Sequence, residues 1–169
     1  MVKAIFLDRD GVINKKMPEG SYVTNWHEFR FISGVKEAIS SLSKTDYKII
    51  IATNQRGIAK KILSEKNLIK LHLKMLDEIK KSGGRVDKIY FCPHEKGECN
   101  CRKPLPGMLY KANKEFNIDF KNSWIIGDSS SDIELGKKLG CKTVLIGDKN
   151  KADADFVFNN LNEAIKILI

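Results

Sequence analysis

Short, unbroken apolar runs recur along the chain. Ala4–Leu7, Ile49–Ala52, Ile89–Phe91, Trp124–Ile126 and Thr143–Ile146 each predict a strand covered on both faces, because a half-open strand would alternate apolar with polar residues. Phe156–Phe158 predicts a weaker sixth strand. Between the runs, apolar residues fall at helical spacing. They are Val35, Ala38, Ile39 and Leu42; Leu68, Leu71, Leu76 and Ile79; Ala112 and Phe116; Ile133, Leu135 and Leu139; and Leu161, Ala164, Ile165 and Leu168. Strand–helix alternation of this kind predicts an α/β fold in three layers, a Rossmann-like parallel sheet between helices.

Two segments break the alternation. Residues 12–33 leave the first strand without entering a helix, and residues 92–107 hold three of the four cysteines and three of the four prolines. Both leave a strand at its carboxyl end, where open α/β sheets bind their ligands, so both are expected to border a site. A length of 169 residues fits one domain spanning 1–169, with the 92–107 loop inserted. No run reaches the ~18 apolar residues of a membrane helix. The first apolar run is also too short for a signal core and ends in charge, so the expectation is a cytoplasmic protein with no membrane partner. The net charge of +9 suits an anionic partner, although lysines solvating helix faces would give the same figure.

The candidate chemistry sits where apolar runs end. Asp8-Arg9-Asp10-Gly11 follows the first strand. Two carboxylates placed together repel unless a cation or a shared proton compensates, and a hard cation such as Mg²⁺ prefers oxygen ligands. Thr53-Asn54-Gln55 ends the second strand with a hydroxyl and amides that can donate to a phosphoryl oxygen. Lys103, in Arg102-Lys103-Pro104, can neutralise a phosphoryl group, and Arg102 can grip a second anion bidentately. Gly127-Asp128-Ser129-Ser130-Ser131-Asp132 follows the fourth strand and adds two more carboxylates. Taken singly, these segments also read as an acidic turn, a polar turn, surface charge and a helix start.

Cys92, His94, Cys99 and Cys101 offer three thiols and an imidazole within ten positions, the composition of a closed, structural Cys₃His zinc site. Four protein ligands leave no position for a substrate water, so the role expected of this zinc is to staple the loop that carries Arg102 and Lys103. Cys141 stands apart and reads as a small core residue.

The order of acid pair, hydroxyl, lysine and acid pair closely resembles the haloacid dehalogenase superfamily of phosphohydrolases. The resemblance covers nearly the whole chain. It implies that Asp8 is the nucleophile that forms an aspartyl-phosphate and that Asp10 is the general acid/base. It implies that Thr53, Asn54, Arg102 and Lys103 bind the substrate or its phosphate. Mg²⁺ would be held by Asp8, Asp128 and the backbone carbonyl of Asp10, with Asp132 in support. Within the superfamily, Asp-Arg-Asp-Gly-Val-Ile-Asn, Cys-Pro-His, Cys-Asn-Cys-Arg-Lys-Pro and Pro-Gly-Met look like the D-glycero-D-manno-heptose 1,7-bisphosphate 7-phosphatases, with the histidinol-phosphate phosphatases as close relatives. Such enzymes lack a large cap domain. Two departures stand out: a shorter spacer between His94 and Cys99, and Ser129 where those enzymes commonly carry a lysine.

The expected activity is therefore Mg²⁺-dependent phosphatase action by a monomer on a small phosphorylated metabolite, the heptose bisphosphate first. For histidinol phosphate, acidic groups should line the site, and the 12–33 loop offers Glu19 and Glu28. A polynucleotide 3′-phosphatase would need a basic groove interleaved with aromatics. A zinc-stapled nucleic-acid-binding module would place Asp8, Asp10, Asp128 and Asp132 against phosphates, so no nucleic-acid partner is expected.

Overall fold

In the computed structural model, which describes residues 1–148, 150 and 152–169, every apolar run becomes a strand of one parallel sheet. The strands are β1 (Ala4–Leu7), β2 (Lys48–Asn54), β3 (Lys88–Cys92), β4 (Trp124–Gly127), β5 (Lys142–Ile146) and β6 (Phe156–Phe158). Their spatial order is β3-β2-β1-β4-β5-β6. β1 lies between β2 and β4, with Ile5 opposite Ile49 on one side and Trp124 on the other. β1 is buried along its whole length, which is why its run shows no polar alternation.

Successive side chains of a strand point to opposite faces, and each face has its own core. Ile5, Leu7, Ile49 and Ile51 pack on α1 (Val35–Leu42), α2 (Glu65–Lys81) and α5 (Leu161–Ala164). Ala4, Phe6, Ile50 and Ala52 pack on α3 (Gly107–Phe116) and on Leu135 of α4 (Ser130–Leu139). α1 buries the four apolar residues expected of it, of which Val35, Ile39 and Leu42 are worth roughly 1.5–3 kcal/mol apiece. On α2 the buried stripe is Leu68, Leu71, His72, Met75 and Ile79, so the helix turns Met75 rather than Leu76 fully inward and buries a histidine in an otherwise apolar row. Ser64 starts α2 by accepting the Asn67 N–H at 3.1 Å. Cys141 is buried, as expected of a small core residue.

The chain runs outward from β1 to β3 on one side and from β4 to β6 on the other. The switch point therefore lies between β1 and β4. A crevice opens at the carboxyl ends of those two strands. Asp8 and Asp128 are the residues that follow them.

Candidate active site

Asp8 donates its backbone N–H to the Ile126 carbonyl of β4 at 2.9 Å, which fixes it across the crevice. Its Oδ1 meets the Lys103 ammonium at 3.0 Å. That ammonium also donates to Asp132 Oδ1 at 2.6 Å and to the Ala52 carbonyl at 2.8 Å. An ammonium has three donors, and all three are used here. The Lys103 side chain is only 3% exposed. Burial alone would discharge it, but Asp132 and Asp8 outweigh that cost and hold its pKa above the ordinary lysine range. Burial pushes the Asp8 carboxyl up to about 7, against the pull of Lys103 and with the charges of Asp132, Asp10 and Asp128 adding to the rise.

Asp10 sits in a different environment. Its Oδ1 accepts from Arg9 Nη2 and Asn14 Nδ2, and its Oδ2 from Gln55 Nε2, each at 2.9 Å. Burial would raise this carboxyl too. The charge of Arg9 and the three hydrogen bonds win, and its pKa stays below the usual carboxylate value. Two neighbouring carboxylates pushed in opposite directions are a mark of divided acid–base roles. Arg9 is itself buried and spans from Asp10 to His72 Nε2, 3.1 Å from its Nη1. Burial, and then the Arg9 charge, bring the His72 pKa down to about 3. Arginine can only donate, so His72 accepts through Nε2 and carries its proton on Nδ1.

Asp128 faces Asp8 across the crevice. Its Oδ2 accepts from Lys16 Nζ at 2.9 Å, and its Oδ1 is buried with no partner among the described residues. One carboxylate oxygen from each of Asp8, Asp128 and Asp132 falls within 4.8 Å of the others. Crowded carboxylates with an orphaned, buried oxygen fit a hard divalent cation. Asp132 is the third carboxylate of this cluster, because the Asp10 side chain is turned onto Arg9, Asn14 and Gln55. Both Asp132 oxygens have partners, Lys103 on one and the Ser129 hydroxyl at 2.7 Å on the other. Gly11 has a left-handed φ of +88°, and a Cβ there would lie 2.3 Å from Asp128 Oδ2, so only glycine lets the two loops close.

These groups form the floor of a cleft of about 340 Å³, within the size range of small-molecule sites. Residues 16–23 make one wall, and Arg56 and Arg102 lie on the others. Both irregular segments thus border the site. One guanidinium nitrogen of Arg102, Nη1, is buried without a partner among the described residues. Asn54 lines the cleft but spends its amide on the Lys103 backbone. It accepts the Lys103 N–H at 2.9 Å and donates to the Lys103 carbonyl at 3.2 Å. Thr53 is completely buried, and its hydroxyl accepts from Gln55 Nε2 at 3.0 Å. Glu19 lines the cleft, whereas Glu28 is spent on the Thr24 N–H and hydroxyl at 2.8 and 2.9 Å.

The zinc-type residues come together beside this cleft. Ligand atoms of Cys92, His94, Cys99 and Cys101 lie within 4.8 Å of one another, and no disulfide joins the thiols. The Sγ atoms stand 3.0–3.5 Å apart, slightly inside the ~3.8 Å edge of a zinc–thiolate tetrahedron. The set fits a metal such as zinc. Its loop is tied at both ends. The Cys92 carbonyl accepts the Gln55 N–H, and the Asn100 carbonyl accepts the Gly107 N–H, each at 2.8 Å.

The sequence does not mark Arg9, His72, Lys16 and Arg56 as site residues. Arg9 lies between two acids, which reads as a solvated turn. His72 occupies an apolar stripe position on α2, the one signal that could have drawn attention to it. Arg56 bonds Glu95 of the cysteine loop through Nε at 2.6 Å, a contact between segments far apart in sequence.

Comparison with known proteins agrees with this geometry. The family model described as polynucleotide kinase 3 phosphatase matches residues 3–165. The chain is 43% identical over 165 residues to the D-glycero-alpha-D-manno-heptose-1,7-bisphosphate 7-phosphatase of Campylobacter jejuni, covering 96% of this chain and 94% of that one. It is 39% identical to the D-glycero-beta-D-manno-heptose-1,7-bisphosphate 7-phosphatase of Pasteurella multocida, over 99% of this chain and 97% of the relative. The crystal structure of D,D-heptose 1,7-bisphosphate phosphatase from B. bronchiseptica, complexed with magnesium and phosphate, superposes with a TM-score of 0.90 at 32% identity, covering 98% of this chain and 97% of that one.

Proposed function

The chain belongs to the haloacid dehalogenase phosphatases, phosphoric monoester hydrolases matched by the polynucleotide kinase 3 phosphatase model and including the heptose-1,7-bisphosphate 7-phosphatases, and on that premise we propose that it removes the 7-phosphate of D-glycero-D-manno-heptose 1,7-bisphosphate. The observation that carries the reading is the buried contact of Lys103 with Asp8 on the cleft floor. It aims one cation and one carboxylate at the same reacting group.

Asp8 attacks phosphorus through a carboxylate oxygen, and the bond to the sugar oxygen breaks. Asp10, ionised in the substrate-free fold, takes up the proton of the bound phosphate monoanion and gives it to the departing alkoxide. It then takes a proton from the water that hydrolyses the aspartyl-phosphate. Lys103 neutralises the phosphoryl oxygens, and Asn54 fixes the backbone from which Lys103 extends. Phosphoryl transfer depends mainly on such positioning and charge compensation. The Thr53 hydroxyl, which accepts from Gln55 in the substrate-free fold, would donate its own proton to the phosphoryl group, and Arg102 grips the second phosphate. Magnesium, held by Asp8, Asp128 and the Asp10 carbonyl with Asp132 in support, would keep Asp8 ionised and draw charge from the phosphoryl group. Zinc on Cys92, His94, Cys99 and Cys101 has a structural role.

A small substrate suits the cleft better than a nucleic acid. Tyr22 is the one aromatic side chain lining it among the described residues, whereas strand binding uses several stacking faces. No helix among the described residues is long and apolar enough to cross a membrane. We read the chain as one domain acting in the cytoplasm as a monomer. The test is a set of specificity constants on phosphate esters, with both heptose bisphosphate anomers and histidinol phosphate included. The highest kcat/KM falls on a heptose bisphosphate. A higher value on histidinol phosphate or on a 3′-phosphorylated oligonucleotide contradicts the proposal.

A further inference from the structure

We infer that Lys16 is an exchangeable counter-ion, which neutralises Asp128 until a divalent cation displaces it and then binds the second phosphate of the substrate. This inference rests on the proposed bisphosphate substrate for its second half only. Five cations line the cleft: Arg9, Lys16, Arg56, Arg102 and Lys103. Three are committed elsewhere. Arg9 holds Asp10 and His72, Arg56 holds Glu95, and Lys103 has all its donors engaged. Arg102 has a free nitrogen, and Lys16 has a single carboxylate contact.

That contact joins a solvated side chain to a carboxylate of the cation cluster, whereas Arg56 holds Glu95 outside it. The Lys16 side chain is 58% exposed while Asp128 is 9% exposed. An ammonium on a solvated stem regains water when it leaves, so this partner is the one that can exchange. A divalent cation on Asp128 would bring two positive groups together, and the one on a flexible stem leaves. Lys16 does not leave the site, because its neighbours are anchored. The Lys15 N–H donates to the Arg30 carbonyl at 2.8 Å, and the Asn14 amide is bound to Asp10 and to the Lys15 carbonyl. The released ammonium therefore stays in the cleft, within reach of an anion. Metal and bisphosphate then reinforce each other, and by linkage Lys16 weakens metal binding when no substrate is present.

The test uses the whole protein and the variants Lys16→Met and Lys16→Arg. Binding of Mn²⁺ alone is followed by its paramagnetic resonance signal. Lys16→Met should bind Mn²⁺ several-fold more tightly than the wild type. The ratio of KM for the heptose bisphosphate to KM for the corresponding 7-monophosphate should rise about tenfold, the scale of one charge-assisted contact. Lys16→Arg should keep the wild-type ratio. Unchanged or weaker Mn²⁺ binding in Lys16→Met overturns the inference, and so does tighter Mn²⁺ binding with an unchanged KM ratio. A wild type that ignores the bisphosphate overturns the proposed substrate instead, and the Mn²⁺ arm, which contains no substrate, tells the two failures apart.

Discussion

Replacing Lys103 with methionine keeps the length of the side chain and removes its charge. Asp8 and Asp132, 12% and 1% exposed, then lose the cation between them. Removing one partner of a buried ion pair costs about 3–5 kcal/mol. The lower end is expected here, because Asp132 keeps the Ser129 hydroxyl and lies in the first turn of α4, and Asp8 keeps the Arg9 N–H at 2.7 Å. The loss must also depend on pH. In the wild type Asp8 already takes up a proton near pH 7. Without Lys103 its pKa rises further. Between the two values only the folded variant gains the proton, so the deficit shrinks by about 1.4 kcal/mol per pH unit as pH falls. Below pH 7 both folded forms are protonated at Asp8, and the deficit levels off. Urea unfolding of zinc-loaded, magnesium-free protein should show Lys103→Met about 3 kcal/mol less stable at pH 9, and closer to wild type by at least about 1 kcal/mol at pH 7. A deficit under 1 kcal/mol at pH 9, or one equal at both pH values, would refute the placement of this ammonium between two buried carboxylates.

His72 has a pKa of about 3 in the fold against an ordinary 6.5, so its contribution to stability is full above pH 6.5 and is lost as pH falls toward 3. The variant His72→Gln, which can still accept from Arg9, should lose that acid dependence, and its urea midpoint should fall less steeply than wild type below pH 6.5. Asn54→Ala removes both hydrogen bonds to the Lys103 backbone. It should cost about 1–3 kcal/mol and lower kcat more than it raises KM, read by unfolding and steady-state kinetics. Chelating zinc under excess magnesium should lower the melting temperature and the activity together, because metal binding to such a ligand set is coupled to folding of the loop that carries Arg102 and Lys103.

Much of the fold is legible in the sequence because β1, β2, β4 and β5 are covered on both faces, which turns them into unbroken apolar words, while β3, expected to be covered as well, lies at the other sheet edge with Ile89, Tyr90 and Phe91 only half-buried. β6 reads weakly for a physical reason: Phe156 and Val157 stay partly exposed at the sheet edge. The site is legible where strand ends place its acids and where ten residues gather the cysteine cluster. It is not legible where it depends on contacts between distant segments. The 15–23 stretch has no periodicity, so nothing in the sequence brings Lys16 to Asp128, more than a hundred residues away. Asn54 reads as a phosphate donor because an amide at a strand end can be one, yet its atoms are spent on a backbone that arrives from the cysteine loop. Arg9 reads as solvated because arginine is rarely buried, and only the fold shows His72 and Asp10 waiting at its two ends.

The most direct test of the central claim is to trap the covalent intermediate. Asp10→Asn, mixed with heptose bisphosphate and magnesium and quenched in acid, should retain a phosphoryl group on the protein. Borohydride reduction should then convert residue 8, and no other, to homoserine, as read by peptide mass spectrometry. A phosphoryl group on another residue contradicts the assignment of Asp8 as nucleophile. So does the absence of any adduct when the same variant is given an aryl phosphate, whose leaving group departs without a proton from residue 10.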